Sequence, residues 1–135
     1  MNTSTEAKNI NSPTIIKFST NWNNKLSCDY FTTIRLASPK YQVGKTYIIE
    51  LRGKALKYVK MIEGRIITMP QMNEWVTRLD TGYDCKKFYD LFNRMYPNTD
   101  WTTQRLVLCL FETIPTPKSE EKKNNSTQQS QQPKP

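Results

Sequence analysis

From Leu106 to Phe111 the segment QRLVLCLFETI (104–114) carries an apolar residue at every position. Successive side chains of an extended strand point to opposite faces. A strand like this therefore needs cover on both faces and a neighbour on each side, the situation of an interior strand in a layered domain. The rest of the chain has to supply those neighbours and two covering layers.

Strand partners are legible upstream. TIIKFS (14–19) is rich in β-branched residues, and YFTTIRLA (30–37) alternates, with Phe31, Thr33 and Arg35 on one face and Thr32, Ile34 and Leu36 on the other. KTYIIELR (45–52) and ALKYVKMIEGRIITM (55–69) also read as strands, joined at a hairpin tip around Gly53, with Gly64 marking a turn or bulge. Between the first two strands, Thr20 is a candidate cap for a short helix carrying Trp22, Lys25 and Leu26.

The covering layer comes after residue 69. Pro70 suits a first helical position, and Met72, Trp75, Val76 and Leu79 recur at helical spacing. In YDCKKFYDLFNRMYP, Cys85, Phe88, Leu91, Phe92, Met95 and Tyr96 form one apolar stripe that Pro97 ends. The three tryptophans, Trp22, Trp75 and Trp101, read as core anchors. Residues 14–114 are thus expected to form one α+β domain, a small β-barrel with two or three flanking helices. Residues 1–13 and 115–135 contain little to bury and are expected to be disordered polar tails.

Charge narrows the partners. The chain carries 20 Lys and Arg against 12 Asp and Glu, a net charge of +8. Fifteen of those cations and nine of those anions fall within 14–112, a surplus of 15 − 9 = +6 on the domain itself. Such a surplus favours an anionic partner such as nucleic acid, although it also serves simple solubility. Histidine is absent, which removes Ser-His-Asp and Cys-His catalysis and the usual zinc sites. The four glycines fall in no phosphate-cradling motif. No cofactor and no metal are expected. Cys28, Cys85 and Cys109 are odd in number and widely spaced, which suits reduced thiols in a soluble cytoplasmic protein with no membrane span.

The order of elements and the motifs FTTIRL and YQVGKTYIIEL resemble an ASCH domain, a relative of the PUA RNA-binding fold, over roughly residues 15–112. The family pattern is a strand, a helix, a Lys-x-x-Thr-x-Arg strand and a Gly-containing turn, then a helix pair before a final apolar strand. The resemblance implies a PUA-like barrel with a cleft between barrel and helices, and RNA or a nucleotide as partner. It also implies an alternative activity, amide hydrolysis on acetylated cytidine or attack on RNA, carried by a lysine, a threonine and an acid. The Thr-x-Arg portion matches Thr33-Ile34-Arg35, and the acid falls on Asp80. Tyr30 stands where the family places its lysine, so Lys25 on the preceding helix is the candidate base; it reads more readily as a solvated helix residue.

Two binding patches follow from the residues. Thr33 and Arg35 share a strand face, where the arginine either pairs with Asp80 or Glu50 or presents its planar fork to a phosphate. In RGKALKYVK, Arg52, Lys54, Lys57 and Lys60 surround Tyr58, a mixture of charge and stacking surface suited to single-stranded nucleic acid, or a solvated hairpin whose lysines guard an edge. Whether the chain is an enzyme stays open at this level.

Overall fold

The computed structural model describes residues 13–117; of the tails expected at 1–13 and 115–135, all but Pro13 and residues 115–117 lie outside the described residues. Five strands are formed: β1 (Thr14–Phe18), β2 (Tyr30–Leu36), β3 (Thr46–Leu51), β4 (Lys54–Thr68) and β5 (Arg105–Ile114). A 3₁₀ helix spans Trp22–Ser27, a single 3₁₀ turn spans Met69–Gln71, and the α-helices are α1 (Glu74–Thr81) and α2 (Cys85–Met95).

The strands make one sheet in the order β1-β3-β4-β5-β2, with β1 parallel to β3 and every other pair antiparallel. The apolar strand β5 lies between β4 and β2, as its composition demands. Its side chains divide by alternation. Val107, Cys109 and Phe111 join a cluster with Ile16, Phe18, Phe31 and Tyr47, while Leu106 and Leu108 join a second cluster with Phe88, Leu91, Phe92 and Trp101. One cluster lies within the curl of the sheet and the other lies beneath the helices.

The curl shows in contacts between opposite edges. Phe18 on β1 and Phe31 on β2 belong to the two edge strands, yet their rings meet edge-on at 6.4 Å between centroids. The edges do not pair, so the expected barrel is a half-barrel. A physical reason is at hand: the chain leaves β1 directly into the 3₁₀ helix, and Leu26 from that helix enters the same core cluster. The hairpin expected at Gly53 forms with both turn residues in the left-handed region, Arg52 at φ 48 and Gly53 at φ 84, the twist that suits a two-residue hairpin loop. Around Gly64 the sheet has a register shift between Met61 and Glu63. A Cβ on Gly64 would stand 2.5 Å from Met61 Cε, so the glycine leaves room for that core side chain.

The helices correct three expectations. Asn21, not Thr20, precedes the first helix, which is irregular because Asn23 and Asn24 take φ of 56 and 58. Helix α1 begins after Asn73, whose Oδ1 accepts from Val76 N at 3.0 Å, while Pro70 lies in the preceding 3₁₀ turn. The helix docks with Thr77, Asp80 and Thr81 buried, not the expected apolar stripe. Trp75 and Leu79 are 78% and 65% exposed, so Trp75 is no core anchor. Trp101 is one, with its Nε1 donating to Asn93 Oδ1 at 2.7 Å. Trp75→Ala is therefore expected to change folding stability by no more than about 0.5 kcal/mol in urea denaturation, the usual range for a surface site. Helix α2 follows the expected stripe through Phe88, Leu91 and Phe92, with Met95 left exposed at its end.

Candidate functional site

Between the open edge of the half-barrel and the helices lies a cavity of about 80 Å³. Thr33, Ile34 and Arg35 from β2 border it, with Lys17 and Phe18 from β1, Trp22 and Lys25 from the 3₁₀ helix, Asp80 from α1, and Phe92 and Tyr96 at α2. Of the residues singled out in the sequence, Lys25, Thr33, Arg35 and Asp80 all reach it.

Lys25 and Asp80 form a buried ion pair. The lysine Nζ donates to Asp80 Oδ1 at 2.9 Å and to the Asp80 backbone oxygen at 2.8 Å, and both side chains are about 95% removed from solvent. Thr32 Oγ1 donates to the same carboxylate oxygen at 2.8 Å. The solvated reading of Lys25 is thus wrong. The twisted backbone of the 3₁₀ helix turns it inward, and α1, restarted at Asn73, presents Asp80 to meet it. Burial holds the Lys25 pKa below the ordinary lysine value, with the Asp80 charge opposing the shift and Arg35 adding slightly to it.

Arg35 pairs with neither Asp80 nor Glu50, contrary to one expectation. Its Nε donates to Thr33 Oγ1 at 3.0 Å and its guanidinium lies over the Phe18 ring, 4.6 Å from the centroid. Among the described residues no carboxylate forms an ion pair with Arg35, Lys17, Lys40 or Lys45. These cations sense one another. The Lys40 ammonium is held below the ordinary lysine range first by partial burial and then by the charges of Arg35, Lys17 and Lys45. Tyr41 beside them has its phenol pushed up by burial, against the pull of Arg35. Lys17, Lys40 and Lys45 were not singled out in the sequence; the signal available was the clustering of Lys40 and Lys45 about Tyr41 in the turn after β2.

The second predicted patch is separate. None of Arg52, Lys54, Lys57 or Tyr58 lines the cavity. Arg52 sits at the hairpin tip, where it donates to the Ser19 backbone oxygen at 3.4 Å. Lys57 is held in the fold, donating to Cys28 O at 2.9 Å and lying 5.0 Å from the Phe31 ring centroid. The patch therefore does not present four unoccupied contacts. Tyr30, at the family's lysine position, is exposed and donates to Glu112 Oε2 at 3.2 Å, outside the cavity lining.

Other chemistries find little support among the described residues. No group of three His, Cys, Asp or Glu could hold a metal ion there. The buried Cys109 thiol is pushed up to about 12 by burial, which leaves it protonated and unreactive at neutral pH. No helix there is long and apolar enough to cross a membrane.

No protein-family model matches the chain, and no curated protein does either. Its structure is similar to the crystal structure of protein EF3133 from Enterococcus faecalis V583, described by the family model DUF984. The TM-score is 0.53 at 14% identity, over 76% of this chain and 80% of that one. The likeness is one of fold. It supports a mixed α+β domain with a curled sheet and carries no residue roles.

Proposed function

We propose that the protein binds RNA or a nucleotide through the cationic mouth of the Thr33–Arg35 cavity, on an ASCH/PUA-like α+β fold. The observation that carries this reading is the convergence of Lys17 and Arg35, which line the cavity, with Lys40 and Lys45 near them, and no carboxylate paired to any of the four among the described residues. Gathering like charges costs folding energy, and an anionic ligand offsets that cost. Phosphates supply most of the affinity in such contacts, and the neighbouring aromatic rings offer stacking surface for bases. Lys40 over the half-buried Tyr41 places that surface beside the charge.

Fluorescence anisotropy with a labelled single-stranded RNA across salt concentrations tests the reading. Arg35→Ala is expected to weaken binding with an unchanged circular dichroism spectrum, and to lower the salt slope by about one counterion. Arg35→Lys is expected to recover only part of the loss, because an ammonium keeps the charge without the fork. Unchanged affinity in Arg35→Ala would sink the reading.

One observation favours a second reading, hydrolysis on the same fold: Lys25, Asp80 and Thr33 border a single cavity, and burial depresses the Lys25 pKa. The geometry lacks the activated nucleophile this needs. The Thr33 hydroxyl is hydrogen-bonded to Arg35 rather than to Lys25, whose ammonium is engaged by Asp80. Purified protein is expected not to turn over acetylated cytidine; turnover lost in Lys25→Met would establish the hydrolase instead.

A further inference from the structure

We infer that the cavity takes a single phosphomonoester, so that the protein prefers a terminal phosphate to the internal phosphodiesters of a chain. This rests on the RNA or nucleotide reading above and narrows its ligand. The first argument is size. A water needs about 10–15 Å³ of such space, so 80 Å³ holds roughly six waters. That matches one phosphate group, and a ribose with its base exceeds it.

The second argument is shape. An internal phosphodiester carries chain in two directions and requires a groove open at both ends. Here Trp22, Phe92, Met95 and Tyr96 line the helix side and Phe18 the strand side, so bulky apolar groups flank the space on two sides and leave little room for chain running through it. A terminal phosphate has one substituent and can enter from the cationic mouth.

The third argument is a buried donor without an acceptor. Thr33 is 3% exposed and lines the cavity. Its oxygen accepts from Arg35 Nε, and among the described residues no acceptor takes its own proton. A buried hydroxyl left this way is costly unless a ligand supplies an acceptor. Two further donors border the same space. Lys25 uses two of its three N–H groups on Asp80, and Arg35 keeps its terminal nitrogens outside any ion pair among the described residues. A phosphomonoester offers three strongly accepting oxygens and a charge between about −1.5 and −2 at neutral pH, which suits several donors and more than one cation. An internal phosphodiester brings a single charge.

The test uses the full chain and one RNA oligonucleotide in four forms: with a 5′-phosphate, with a 3′-phosphate, with hydroxyls at both ends, and circularised. A nucleoside monophosphate and inorganic phosphate serve as competitors. One phosphorylated end is expected to bind at least about tenfold more tightly than the hydroxyl form, the worth of one well-made charged contact set. The mononucleotide is expected to displace it. Thr33→Val, nearly isosteric, and Lys17→Gln, on an exposed side chain, are each expected to reduce that ratio to below about threefold with folding intact by circular dichroism. Equal binding of all four forms would overturn the terminal-phosphate inference and leave the RNA reading standing. Binding of the mononucleotide alone would uphold the phosphomonoester and restrict the ligand to free nucleotides. No binding by any form or competitor would overturn both readings.

Discussion

Asp80→Ala is expected to cost about 3–5 kcal/mol of folding stability, the range for removing one partner of a buried ion pair. The substitution leaves the Lys25 ammonium without its counter-charge and Thr32 without its acceptor, at a place where both members of the pair are nearly sealed from water. Urea denaturation at neutral pH measures it, and a cost under about 1 kcal/mol would mean that water reaches the pair freely. Adding Lys25→Met to the Asp80→Ala protein is expected to restore part of the loss, because a methylene chain without a charge needs no partner. The same pair predicts a pH dependence. Burial holds the folded-state pKa of Lys25 below its unfolded value. Between those two values the unfolded chain binds more protons, so stability rises with pH through that window and levels off above about 10.4. Below the window the lysine is protonated in both states and the slope disappears. Lys25→Met should remove the rise. Asp80→Ala should move its onset toward lower pH, since the Asp80 charge is what opposes the burial shift.

Phe92→Ala is expected to cost about 3–5 kcal/mol, as emptying a buried phenylalanine site does. Phe92 stacks on Phe88 with centroids 4.5 Å apart and meets Tyr96 and Trp101 at 5.7 and 6.0 Å, so its loss unpacks the interface between α2 and the sheet. The ring also forms part of the cavity wall. The variant should therefore lose ligand discrimination as well as stability, with the enlarged cavity admitting groups the wild type excludes. Chemical denaturation decides the first claim, and a cost below about 1 kcal/mol would show that the helix packs elsewhere.

Much of the candidate site was legible in residues close together in sequence. Period-two alternation placed Thr33 and Arg35 on one face, and the structure finds both at the same cavity. The paired readings for Arg35 could not be resolved that way, because partner choice depends on which carboxylate the folded chain brings near. Asp80 was already committed to Lys25, across 55 positions of sequence. The patch around Tyr58 shows the converse. Charge around an aromatic ring marked it, but Lys57 is spent on a backbone oxygen.

Local chemistry by itself determined the elements: the apolar run of β5 required an interior strand, the alternation of β2 set its faces, and the stripe of α2 set its buried side. These are properties of a few consecutive residues, and neither a strand nor a helix period changes with what lies across the fold. Only the tertiary structure decided that Trp75 faces water while Trp101 is buried, that the sheet remains a half-barrel, and that Lys25 is desolvated. Each of those depends on the relative placement of segments far apart in sequence. Successive helix residues differ by about 100° in azimuth, so docking α1 turned by one residue's angle is enough to exchange which side chains meet the core. Desolvation is likewise a sum over neighbours from several elements, so a lysine's charge state and its partner become defined only when those elements close around it.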